Sequence, residues 1–146
     1  IHAIDQIDYL DTFKTKEPRI QYKTTSLSNT GYVDNYFDYI VSCSALEHNH
    51  PTDLKPIMQE MARILKPGGR LILTIIARNE MLYHSGDWYS YNGAGVREFF
   101  LTSHLKLLND QDNTTKFMDV YFTDFLIRFK EQPYPYMPMG VILEKC

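Results

Sequence analysis

Apolar positions change their spacing along the chain, and the changes mark out elements. "IHAI", residues 1–4, is a short β-like run ending on Asp5, and "RIQYKTT", 19–25, is a second extended stretch after a break at Pro18. "FDYIVSC", 37–43, is apolar in near-continuous order, which predicts a strand covered on both faces inside a parallel sheet. Leu54, Ile57, Met58, Met61, Ala62 and Leu65 then recur at helical spacing, with Lys55, Gln59, Glu60 and Arg63 turned to water. Thr52 or Asp53 can cap this helix, Pro56 falls in its first turn, and Pro67-Gly68-Gly69 is expected to end it. "RLILTII", 70–76, reads as another buried strand. Strand, helix, glycine turn and strand make a βαβ unit with a right-handed crossover.

From 77 to 92 the periodicity fades into "ARNEMLYHSGDWYSYN", a polar and aromatic segment expected to be a loop or lid, with a short helix around 95–101. The tail carries two strand-like runs, 117–129 and 139–145, joined by "EQPYPYMP" and expected to pair antiparallel at a sheet edge. No repeat, low-complexity tract or heptad interrupts this order. The expected class is α/β, with a mostly parallel sheet and an antiparallel carboxy-terminal strand pair, in a single domain over 1–146.

Composition narrows the function classes. A length of 146 residues supports one modest core. Fifteen basic against 18 acidic side chains, a net charge of −3, gives no field to gather nucleic acid, and no apolar run reaches the roughly 18 residues of a membrane span. Neither a nucleic-acid nor a membrane partner is expected. Cys43 and Cys146 form no metal or redox spacing and suit a reducing compartment, which makes the cytoplasm the default location.

"FDYIVSCSALEH", the amphipathic helix and "RILKPGGRLILTI" together resemble the class I S-adenosylmethionine-dependent methyltransferases of the small-molecule type. The resemblance spans Tyr36 to Ile76. It implies a Rossmann-like fold and S-adenosylmethionine as cofactor. It also implies that the backbone of Cys43, Ser44 and Ala45 lines the methionine and sulfonium side of that cofactor, while Glu47 and His48 face the methyl acceptor. Asp5 matches the acidic residue that accepts hydrogen bonds from ribose hydroxyls, a task suited to a carboxylate; the bland alternative is a solvated strand-end Asp. Thr25 or Ser26 stands where the family commonly has an acidic residue at the adenine.

Methyl transfer requires an acceptor held close, in line and freed of its proton. His48 is the candidate base, with Glu47 beside it; the equal alternative is a histidine that bonds a backbone carbonyl and shapes the loop. Tyr83, His84, Trp88 and Tyr89 are candidates for contact with a flat or sugar-like substrate, against a surface loop whose rings pack on the tail. Glu47, His48, His50 and Asp53 make an incomplete metal set, since Ser44 stands where metal-using relatives carry a further carboxylate, and no metal is assigned.

The family's glycine-rich turn has no counterpart, because all seven glycines lie from Gly31 onward. If "IHAID" is the family's second strand, the first strand and its turn are expected upstream of Ile1, and the domain is truncated at its amino end. Otherwise the second strand slides toward the fourth, or a second copy fills the gap in a homodimer. The expected function is methyl transfer to a hydroxyl or amine of a small molecule or sugar by the complete protein. The alternative is a catalytically inactive binding or assembly module.

Overall fold

The computed structural model describes residues 1–7, 17–78, 81–84, 86, 88–92, 94–96, 98, 104–108 and 137–146. β1 (His2–Asp5) and β2 (Gln21–Thr24) form a parallel two-stranded sheet. A second sheet holds β3 (Phe37–Ser42), β4 (Leu65–Ala77), β8 (Met137–Lys145) and β7 (Leu105–Leu107), in that order. β3 and β4 are parallel, whereas β8 is antiparallel to both β4 and β7, so this sheet is mixed rather than mostly parallel. β5 (Leu82–His84) and β6 (Trp88–Ser90) form a hairpin where a loop was expected.

The helix α1 (Pro51–Ile64) crosses from β3 to β4. Its stripe of Leu54, Ile57, Met58 and Met61 joins one core with Leu71, Leu73 and Ile75 of β4 and Met139, Val141 and Leu143 of β8. Burial of these alternate strand positions is the period-two signature of a sheet packed on one face. The opposite face is open among the described residues: Tyr39 is 62% and Val41 70% exposed, and Ile72 and Ile142 are also exposed. The expectation that β3 is covered on both faces is therefore corrected. Its near-continuous apolar run does not reflect two packed layers here, and among the described residues it pairs with β4 alone, at the rim of its sheet.

Helix boundaries also differ from the pattern-based reading. His50, rather than Thr52 or Asp53, is the N-cap, its Nδ1 accepting from the Thr52 amide. α1 ends at Ile64, before Pro67-Gly68-Gly69, and the ammonium of Lys145 donates to the Arg63 and Leu65 carbonyls that the helix end leaves over. The glycines instead make an irregularity inside β4: two steps along β3, from Phe37 to Tyr39, match five along β4, from Leu65 to Arg70. The expected strand at 139–145 is β8, which among the described residues lies between β4 and the edge strand β7, antiparallel to both, and its expected partner at 117–129 lies outside the described residues. Of the short helix expected at 95–101, residues 94–96 and 98 are described and are helical. No helix among the described residues is long and apolar enough to cross a membrane.

Candidate cofactor and acceptor site

β1 and β3 run in the same direction with a cavity of about 900 Å³ between them. Their starts meet where the His2 and Phe37 rings lie edge to face at 5.2 Å, and their ends meet where Gln6 Nε2 donates to Asn49 Oδ1 at 2.6 Å. Every residue of β1, and every residue of β3 except Asp38, lines the cavity. Side chains of a strand alternate between faces, so a wall of consecutive residues means that the cavity faces the strand edge. Among the described residues β1 pairs only with β2, and β3 only with β4.

The carboxyl end of this cavity gathers Asp5, Cys43, Ser44, Ala45 and His48, five of the candidates. Asp5 is half-buried, and its Oδ1 accepts from the Ile7 amide at 2.9 Å, which curls the chain just beyond β1. After β3, Ser44 adopts φ +47°, a left-handed conformation that costs a non-glycine residue about 1–2 kcal/mol. Thr74 of β4 pins this bend, its Oγ1 accepting from the Ser44 amide at 3.0 Å. A 3-10 turn, Leu46–His48, follows and leaves His48 exposed on the cavity wall.

Glu47 separates from its neighbour. It is only 2% exposed and lies off the cavity wall, because one step around a turn of three residues swings the side chain by about 120°. Burial raises its pKa, opposed by its own amide, the His48 charge and a bond from Ser44. The Tyr91 phenol is raised as well, first by burial and then by Tyr89 and Glu47. Glu47 Oε2 and Ser42 Oγ are buried without a hydrogen-bond partner among the described residues.

The remaining candidates lie elsewhere. Thr25 and Ser26 are not on the cavity wall; their hydroxyls engage the Asn29 carbonyl and Ser28. Leu27 and Thr30 of the same segment line the cavity instead. Tyr83, His84, Trp88 and Tyr89 belong to the β5–β6 hairpin, also off that wall. There the His84 and Trp88 rings stack at 3.7 Å, Tyr83 meets Tyr89 at 5.1 Å, and His50 touches Tyr89 edge-on. Reading the sequence missed Gln6, Thr30 and Asn49. The one local signal for Gln6 and Asn49 is position, since Gln6 directly follows Asp5 and Asn49 directly follows His48; Thr30 has none.

A family described as "Methyltransferase domain" matches residues 2–73. Phosphoethanolamine N-methyltransferase 2 of Caenorhabditis elegans is 29% identical over 116 residues, covering 80% of this chain and 25% of that protein. The mitochondrial ubiquinone biosynthesis O-methyltransferase of Rattus norvegicus is 32% identical over 81 residues, covering 55% of this chain and 23% of that protein. The chain thus spans about a quarter of the length of these relatives. Among solved structures, the Burkholderia thailandensis 1,6-didemethyltoxoflavin-N1-methyltransferase, with bound 1,6-didemethyltoxoflavin and S-adenosylhomocysteine, superimposes with a TM-score of 0.67 at 13% identity. That match covers 99% of this chain and 60% of the other. Family match and fold agree on one assignment: the chain belongs to the class I S-adenosylmethionine-dependent methyltransferases.

Proposed function

We propose that the complete protein transfers a methyl group from S-adenosylmethionine to a hydroxyl or amine of a small molecule or sugar. The observation that carries this reading is the meeting of Asp5, the 43–45 bend and His48 at the carboxyl end of one cavity, where open α/β sheets bind their ligands. The residues suit such a cofactor. Ser42, on the cavity wall, has a buried hydroxyl in want of a partner, and the Asp5 carboxylate matches a ribose diol. Bound there, the cofactor supplies an electrophilic methyl on a sulfonium. Cys43, Ser44 and Ala45 hold it through their backbone, and the His48 imidazole takes the proton of the acceptor. Buried Glu47 supports the turn from behind.

The cavity edges of β1 and β3 support a second element of the proposal. One further strand, supplied from outside these 146 residues, fits between them and completes the floor of the site. The 146-residue chain alone is accordingly expected to bind cofactor weakly. Thermal shift with S-adenosylhomocysteine on the complete protein and on this chain tests both points, because a ligand that binds only the folded state raises apparent stability. A complete protein that is not stabilised would overturn the function. A chain that binds as tightly as the complete protein would overturn the need for the added strand. In the complete protein, His48→Ala is expected to lower turnover at least a hundredfold, and unchanged turnover removes His48 from the chemistry.

A further inference from the structure

We infer that Gln6 and Asn49 form a clasp that sets the width of the cavity at its carboxyl end, making them positioning residues for the two loops that carry Asp5 and His48. Gln6 adjoins Asp5 and Asn49 adjoins His48. Their 2.6 Å bond joins residues 43 positions apart, and it connects strands that belong to different sheets. Asn49 is built for the task. It is buried, and its Nδ2 donates to the Ala45 and Leu46 carbonyls at 3.0 and 3.3 Å, which fixes the amide with its oxygen toward Gln6. From the far side the Tyr91 hydroxyl donates to the Asn49 carbonyl at 3.3 Å, tying the same residue to the segment after the hairpin. Besides Gln6, four bonds hold Asn49, the fourth from its own amide to the Leu46 carbonyl at 3.1 Å, so it is the better-held side of the clasp. Gln6 is exposed and directly follows the four-residue β1.

This inference rests on the methyltransferase reading only where it concerns cofactor affinity. A ligand held at one end by Asp5 and at the other by the 43–45 bend must match the spacing the clasp imposes. Hydrogen exchange on the 146-residue chain tests the clasp without any ligand. Gln6→Ala removes an exposed side chain and spares the core. It is expected to speed exchange of amides 45–49 roughly two- to tenfold, the range that corresponds to one neutral hydrogen bond, while amides 57–64 of α1 stay unchanged. Equal exchange at 45–49, or acceleration in α1 as well, would overturn the clasp. Affinity for S-adenosylhomocysteine, measured on the complete protein, is expected to fall by a similar factor, and Gln6→Lys, which keeps a donor toward Asn49 Oδ1, is expected to recover part of it. Faster exchange with undiminished affinity would overturn the positioning role. Faster exchange in a protein that fails to bind this compound in any form would support the clasp and sink the cofactor reading instead.

Discussion

Glu60→Gln isolates the charge that fastens the segment after β2 to α1. The Glu60 carboxylate is 8% exposed; its Oε1 accepts from the Thr30 amide at 2.8 Å and from the Thr30 hydroxyl at 2.6 Å, while Arg63 reaches both oxygens. Thr30 lines the cavity, so this anchor belongs to the site as well as to the fold. The Arg63 guanidinium, with Thr30, holds the Glu60 pKa down from 4.5 to about 2 despite burial. Such a fall corresponds to a ceiling of about 3 kcal/mol at neutral pH. Arg63 is about a third exposed, and solvent screening reduces the figure to about 1.5–2 kcal/mol. Because the folded value lies below the unfolded one, this stability is complete above pH 4.5 and is lost as pH falls toward 2. Urea unfolding should show Glu60→Gln less stable by about 1.5–2 kcal/mol at pH 7, with the gap shrinking to roughly two-fifths of that at pH 3. A gap below about 0.5 kcal/mol at pH 7, or one of equal size at both pH values, would refute the reasoning.

Two further substitutions probe the β4 irregularity and the buried acid. A Cβ on Gly69 would lie 2.8 Å from the Lys66 carbonyl oxygen and 3.2 Å from that of Asp38, both backbone, whereas one on Gly68 meets open space at φ +74°. Gly69→Ala should therefore cost about 2–3 kcal/mol and Gly68→Ala about 1, and the reverse order in melting temperature would contradict the packing. Burial raises the Glu47 pKa, so its ionisation weakens the fold above the unfolded value near 4.5. Glu47→Gln should match or exceed the wild type in thermal stability at pH 7.5, with the advantage vanishing by pH 4; a deficit that grows with pH would mean the carboxylate is paired.

What the sequence made legible follows from the range over which each signal acts. β1, β2, β3, β4 and α1 were all readable because side-chain period is local, and Leu54, Ile57, Met58 and Met61 repeat at a spacing that only a helix turns to one side. β7 is three residues long, too short for alternation to register, and the β5–β6 hairpin hides in a polar, aromatic segment whose pairing depends on Tyr83 meeting Tyr89. The Asp5 and 43–45 candidates could be brought together from strand ends alone. Thr25 and Ser26 could not be placed, because the turn from Ser26 to Asn29 directs Leu27 and Thr30 toward the cavity instead. The Gln6–Asn49 bond could not be read locally, since adjacency to Asp5 and His48 marks the two positions but not their pairing.

Residues 42–49 divide their work by direction. Ser42 ends β3 with its hydroxyl buried, the left-handed bend at Ser44 turns the chain, and the 3-10 turn then sends Glu47 inward and His48 to the cavity. Had this segment continued as a strand, alternation would also have separated Glu47 from His48, but the backbone of Cys43, Ser44 and Ala45 would have been drawn toward ladder bonds. The bend releases it from the ladder, and Thr74 and Asn49 hold the released segment at its two ends. A pocket that contacts its ligand largely through backbone needs such anchoring, because loop entropy would otherwise blur the spacing on which recognition depends. One anchor stands on β4 beneath, and the other, Asn49, closes the 3-10 turn before α1 begins. Loosening the Gln6 contact therefore changes how far apart the loops stand and how often the 45–49 turn opens, while Thr74 keeps the bend at Ser44.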